Sequence, residues 1–210
     1  MNITFIGCGQ VGGALADQLQ RLGHTVTLAA RDADSDSVRR ARARNPALTA
    51  VPPEQAVRDA DLVFLATPFA ANAHVVPPLA QALHGKVLVD CTNPVGPGLT
   101  HGLDSRQSGS QALQAMAPQA RVVKAFSIYG YENFEQGPSD TQGVRPAMLF
   151  CGDDAPAKAI VGGLIGQLGW APLDVGGLVQ ALHLEHMTLL WVRLVRAQGH
   201  PPRLTWAALA

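Results

Sequence analysis

Apolar residues along this chain follow two alternating rhythms. Short runs rich in Val, Ile, Leu and Phe predict strands over 2–6, 24–30, 48–51, 61–66, 86–90, 121–126, 147–151 and 171–175. Between them, apolar positions recur at helical spacing. A first helix runs through Ala14, Leu15, Leu19 and Leu22 and stops at Gly23. Further helices are predicted over 35–44, 53–59, 73–83, 111–116, 155–168 and 178–195. Segments 95–110 and 131–146 lack apolar periodicity and read as loops, the second at a functional edge. Strands alternating with helices, most strands being continuously apolar, predict an α/β fold with a mostly parallel sheet covered on both faces. Helix 178–195 is apolar nearly all round. Leu182, Leu189, Leu190 and Trp191 then predict a face covered by a second copy of the chain, a homodimer.

The strongest local signal is Gly7-Cys8-Gly9-Gln10-Val11-Gly12, a G-x-G-x-x-G turn between the first strand and the first helix. In that context Gly7 makes the tight turn, Gly9 lets backbone approach a pyrophosphate, and Gly12 lets helix pack on strand. Free N–H groups of Gln10 and Val11 at the helix start then face the diphosphate. The architecture expected is a doubly wound Rossmann-type domain over 1–175 with a short helical appendage over 176–210. About twenty residues beyond the turn, an NAD site places Asp or Glu at the second strand tip to hold the ribose 2′-hydroxyl. Here Ala29-Ala30-Arg31 stands instead. Arg31 can fork onto a 2′-phosphate, which selects NADP. Two bland readings compete, a solvated arginine and one neutralised by Asp32. Of the basic helix that follows, Arg39 or Arg40 can assist the phosphate. Thr67-Pro68 and Asn93-Pro94 close two further strands, at the edge where open parallel sheets bind ligands.

Composition narrows the chemistry. Lys+Arg and Asp+Glu balance at 16 each, which argues against nucleic acid or an anionic membrane as partner. Cys8, Cys91 and Cys151 lack metal-ligand spacing and read as reduced thiols of a cytoplasmic protein. No apolar run has the length of a membrane span. His183, Glu185 and His186 lack the i, i+4 histidine spacing of a zinc helix, so no metal is expected, and the histidines read as surface or interface residues. Neither Tyr129 nor Tyr131 has a lysine four residues on, and no nucleophile elbow is present. An enzyme built this way leaves its chemistry to bound cofactors.

Taken together, Gly7 to Gly12, Ala30-Arg31, Ala66-Thr67-Pro68, the run from Lys86 to Pro94, Val123-Lys124-Ala125-Phe126, Tyr131-Glu132-Asn133, Cys151-Gly152-Asp153-Asp154 and Leu184-Glu185 resemble the coenzyme-F420-dependent NADP reductases. That family includes the reductase domain of the STEAP metalloreductases. The resemblance implies a commonly dimeric Rossmann protein that exchanges hydride between NADP(H) and a flavin-like ring, either F420 or a flavin. By position, Thr67, Asn93 and Ala125 border the nicotinamide, with Pro68 shaping the loop, and Ser127 stands where those proteins usually carry Asn. Two other readings fit the same residues. One is a reductase of small imines or 3-hydroxy acids, whose families attach a longer helical domain. The other is a non-catalytic NADP sensor.

Overall fold

The computed structural model describes residues 1–138 and 143–209. The glycine turn joins β1 (Asn2–Ile6) to α1 (Gln10–Arg21). Next come β2 (Thr25–Ala29), α2 (Asp36–Arg44), β3 (Thr49–Val51), α3 (Pro53–Asp59) and β4 (Leu62–Leu65). A short α4 (Asn72–Val75) precedes β5 (Val87–Asp90), and α5 (Gly109–Met116) precedes β6 (Arg121–Lys124). The chain ends with α6 (Glu132–Glu135), β7 (Ala147–Gly152), α7 (Ala155–Gln167), β8 (Ala171–Asp174) and α8 (Ala181–Val192).

The sheet order is β3-β2-β1-β4-β5-β6-β7-β8. Strands β1 to β6 run parallel, β7 pairs antiparallel to β6, and β8 lies parallel to β7. The first six positions carry the doubly wound order, and the fold expected from the sequence is the fold observed. Because strand side chains alternate, one sheet supplies two cores. Phe5, Phe64, Val89 and Val123 join α1, α7 and α8 on one face. Ile6, Val63, Leu65, Leu88 and Val122 meet Val57, Leu79 and Leu113 on the other. Phe5 and Phe64 stack at 4.6 Å between centroids, which ties β1 to β4 beneath the glycine turn.

Three expectations need correction. Segment 73–83 is not one helix but α4 flanked by 3₁₀ turns, Phe69–Ala71 and Pro77–Leu79. Pro77 and Pro78 have no N–H to continue the helical ladder. Within 131–146, α6 packs on α1, and Gln18 donates to the Phe134 carbonyl; residues 139–142 of that predicted loop lie outside the described residues. The apolar side chains of α8 are in large part covered by this chain itself. Trp191 is 1% exposed, its Nε1 donates to the Leu204 carbonyl at 2.7 Å, and Leu189 is also buried. Trp191 lies so close to Gly130 that an added Cβ there would sit 2.3 Å from its ring. The outward face keeps Val179 and Leu190 exposed and Leu182 half-buried.

Candidate functional site

The glycine turn shows what each glycine does. Gly7 has φ +92°, and a Cβ there would press within 2.8 Å of the Ala66 and Thr67 backbone. A Cβ on Gly12 would come within 2.1 Å of the Gly7 carbonyl oxygen. At Gly9 a Cβ would meet nothing within 4 Å. Gly12 is therefore required by the protein's own packing, whereas Gly9 keeps space open above the turn. Gly9 also caps α1 without a side-chain hydrogen bond, and the first turn carries no acidic residue, which leaves its N–H groups to an outside anion. The two glycines should separate experimentally. Gly12→Ala is expected to lower the thermal unfolding midpoint, while Gly9→Val leaves it near wild type but abolishes tight dinucleotide binding in a titration. Equal midpoints in the two variants would contradict this division.

The sequence-predicted residues all lie at one edge of the sheet, beyond the carboxyl ends of β1, β2, β4, β5 and β6. A cleft of about 360 Å³ brings Gly7, Arg31 and Thr67 together with Pro53, His74, Val75 and Leu79. Pro53, His74 and Val75 were not foreseen, because they come from a helix start and a broken helix with no motif of their own. Arg31 is exposed and makes no ion pair or hydrogen bond among the described residues. Asp32 does not neutralise it; its carboxylate accepts from the Asp34 N–H at 2.9 Å. Arg39 is tied to Asp36 and to the Asp34 carbonyl. Arg40 instead lines a second cleft of about 470 Å³ together with Cys8, Gly9, Gln10 and Gly13. Val11 packs against the core, and Pro68 starts the 3₁₀ turn after β4. A dinucleotide thus finds an open turn, free helix N–H groups and an unpaired guanidinium at one edge, so the residues present fit the group.

Beyond β4, β5 and β6 the site becomes polar and tightly held. Thr67 Oγ1 donates to Asn72 Oδ1 at 2.8 Å, and Asn72 Nδ2 donates to Thr92 Oγ1 at 3.1 Å. Thr92 Oγ1 donates in turn to Asp90 Oδ1 at 2.7 Å. Asn93 Nδ2 donates to the Ser127 carbonyl at 3.0 Å, and Thr188 Oγ1 lies 3.0 Å from Asn93 Oδ1. Ala125 is fully buried, so its methyl belongs to the core, and its N–H donates to the Asp90 carbonyl. Phe126 follows with φ +53°, a strained conformation for a bulky residue, and turns the chain out of β6. Ser127 is then held by its carbonyl while its buried hydroxyl has no partner among the described residues.

Beneath this edge lies a buried ionic cluster. Lys124 Nζ sits 3.3 Å from Asp90 Oδ2 and 3.2 Å from Glu185 Oε1, and also donates to the Thr92 carbonyl. Glu185 accepts from the Gly109 N–H at 2.9 Å, at the N-terminal end of α5, and meets His101 Nε2 at 2.8 Å. Burial by itself depresses the Lys124 ammonium, but Asp90 and Glu185 outweigh it and hold the group above the ordinary lysine range. Lys124 and Glu185 are visible in the sequence as charges inside apolar patterns, the one signal that could have found them. His101 carried none. Glu185 is 1% exposed. Burial pushes the Cys151 thiol up to about 12, and burial with Asp90 beside it raises Cys91, so both stay protonated. Among the described residues no group of side chains could hold a metal ion, and no helix is long and apolar enough to cross a membrane.

Comparison with known proteins adds to this geometry. Residues 2–94 match the family described as NADP oxidoreductase, coenzyme F420-dependent. The metalloreductase STEAP3 of Rattus norvegicus is 32% identical over 188 residues, which cover 89% of this chain and 36% of that protein. The chain thus spans about a third of the length of this curated relative. A protein of Arthrobacter sp. FB24, provisionally assigned as an F420-dependent NADP reductase, superposes over 100% of both chains with TM-score 0.89 and 27% identity. An imine reductase of Myxococcus stipitatus solved with NADP+ shares the fold, with TM-score 0.67, 19% identity, and coverage of 95% of this chain and 63% of its own. The family resemblance read from the sequence is borne out.

Proposed function

We propose, on the premise that residues 2–94 belong to the coenzyme F420-dependent NADP oxidoreductase family, that this chain is an NADP(H)-dependent oxidoreductase exchanging hydride with a planar flavin-like acceptor. The observation that carries the reading is the unpaired Arg31 in one cleft with Gly7 and Thr67, at a strand tip that lacks the carboxylate of an NAD site. Gly9, Gln10 and Val11 hold the diphosphate, and Arg31 takes the 2′-phosphate. Thr67, Asn93 and the Ala125–Ser127 turn border the nicotinamide, fixed in place by Asn72 and Thr188. NADP supplies the hydride chemistry when bound; the protein's part is orientation and exclusion of water.

The acceptor class follows from what the edge lacks. A ketone needs an acid to protonate its alkoxide, whereas a deazaflavin or flavin accepts hydride without one. Behind Asn93 and Ser127 the ionisable groups Asp90, Lys124, His101 and Glu185 are buried and committed to one another, while the exposed His74 shares the cleft of Arg31 and Thr67, assigned here to the 2′-phosphate side. We therefore expect NADPH oxidation with at least one of F420, FMN or FAD and little with simple ketones, imines or aldehydes, followed at the nicotinamide absorbance. Robust ketone or imine reduction without flavin turnover would overturn the stacked-ring reading, and no turnover at all would favour a sensor. The exposed Leu190 on α8 and Val179 on the 3₁₀ turn just before it fit a second copy of the chain, and a sedimentation measurement at micromolar concentration should return a dimer.

A further inference from the structure

The buried cluster beneath the nicotinamide edge has a definite charge, and hydrogen-bond geometry sets it. Asp90 Oδ1 receives the Thr92 N–H and hydroxyl, and Oδ2 receives the Ser110 hydroxyl at 2.6 Å and Lys124 Nζ. Glu185 receives the Gly109 N–H, Lys124 Nζ and the His101 ring. Every neighbour of both carboxylates is a donor, which is the hydrogen bonding of the ionised form. His101 Nδ1 accepts from the N–H groups of Leu103 and Ser105, both at 3.2 Å. The ring proton therefore sits on Nε2, facing Glu185, and the imidazole is neutral. His186, whose ring stacks on His101 at 5.5 Å, is exposed and engaged with Ser105 Oγ. Cys91 remains a thiol. Lys124 is the one cationic side chain facing Asp90 and Glu185 among the described residues, so the side chains of the cluster carry one net negative charge, which the N-terminal end of α5 offsets only in part.

That charge adjoins the residues assigned to the nicotinamide. Asp90 reaches Thr67 through Thr92 and Asn72. Thr188, on the turn of α8 after Glu185, contacts Asn93. The nicotinamide ring is a cation in NADP+ and neutral in NADPH, whereas the rest of the two molecules is alike. We propose that the Asp90–Lys124–Glu185 cluster is an electrostatic bias for the oxidised cofactor: its net negative charge favours the cationic ring of NADP+ over the neutral ring of NADPH. In a buried, low-dielectric setting a fixed charge acts over the distance of several residues without touching the ligand. These side chains are positioning and field groups. The inference rests on the cofactor placement proposed above.

The test is the ratio of dissociation constants for NADPH and NADP+, measured by calorimetric titration, with thermal unfolding recorded in parallel. Wild type should bind NADP+ more tightly than NADPH. Glu185→Gln and, independently, Asp90→Asn remove the net charge and should each lower the ratio about tenfold, the size of one partly screened unit charge. A merely structural role would weaken both forms alike and leave the ratio unchanged. An unchanged ratio in either folded variant would overturn the proposal. Should both variants unfold, the wild-type ratio decides, and equal or tighter binding of NADPH counts against the bias. Failure of wild type to bind either form would instead remove the cofactor reading itself.

Discussion

Arg31→Ala should weaken NADPH binding about ten- to hundredfold while leaving NADH nearly unchanged, the loss expected when a charge-assisted hydrogen bond of about 1.5–3 kcal/mol disappears. The guanidinium is exposed and unpaired among the described residues, so no protein contact is lost with it and the fold should be unaffected. The selectivity change should read cleanly as cofactor recognition. Arg39→Ala is the matched control: its side chain is engaged by Asp36 and the Asp34 carbonyl, and its removal should leave selectivity near wild type. Arg40 shares the neighbouring cleft with Gly9 and Gln10, so Arg40→Ala should weaken NADPH and NADH together. Titration of both cofactors into the three variants checks the scheme. An Arg31→Ala protein that keeps its preference for NADPH would remove Arg31 from the role.

Lys124→Met should destabilise the fold by about 3–5 kcal/mol, because it leaves Asp90 and Glu185 buried without their cation. Against a total stability of about 5–15 kcal/mol that is a large fraction, measurable as a lower denaturation midpoint with little change in slope. The pH dependence has a definite sign. The folded-state value of Lys124 is raised above the ordinary 10.5, so its contribution is complete below pH 10.5 and is lost as pH rises through the folded value. Tyr129, raised to about 12 by burial, acts in the same direction above pH 10. Wild type should therefore lose stability more steeply than Lys124→Met on the alkaline side, and the two curves should converge. Parallel curves up to strongly alkaline pH would show that Lys124 is not the ion-paired group described here.

Much of the architecture was legible in the sequence because the relevant forces are local. The run Asn2–Ile6, the glycine turn and the helix after it are fixed by strand propensity, positive φ at Gly7 and the small residue needed at Gly12. Arg31 was legible for a similar reason: its position is counted from the turn along one β-α-β unit. The breaking of segment 73–83 is legible too, in Pro77 and Pro78, whose missing N–H groups override the apolar periodicity there.

The remainder depended on which elements meet in space. Arg31, just past β2, and Arg39, inside α2, are the same residue type on one β-α unit, and the groups around each decide that the first is free and the second committed. The coverage of Trp191 by Gly130 and Leu204 joins residues far apart in sequence, so an apolar helix that read as an interface is in large part a core helix. The Asp90–Lys124–Glu185–His101 cluster draws one residue each from β5, β6, α8 and the loop before α5. No spacing along the chain encodes it. The sequence by itself determined where a dinucleotide turn must form and which strand edge it opens on, since those follow from backbone sterics and short-range hydrogen bonding. Only the tertiary structure decided which charges are free to meet a ligand and which are buried against one another, because burial and pairing depend on residues brought together from distant parts of the chain.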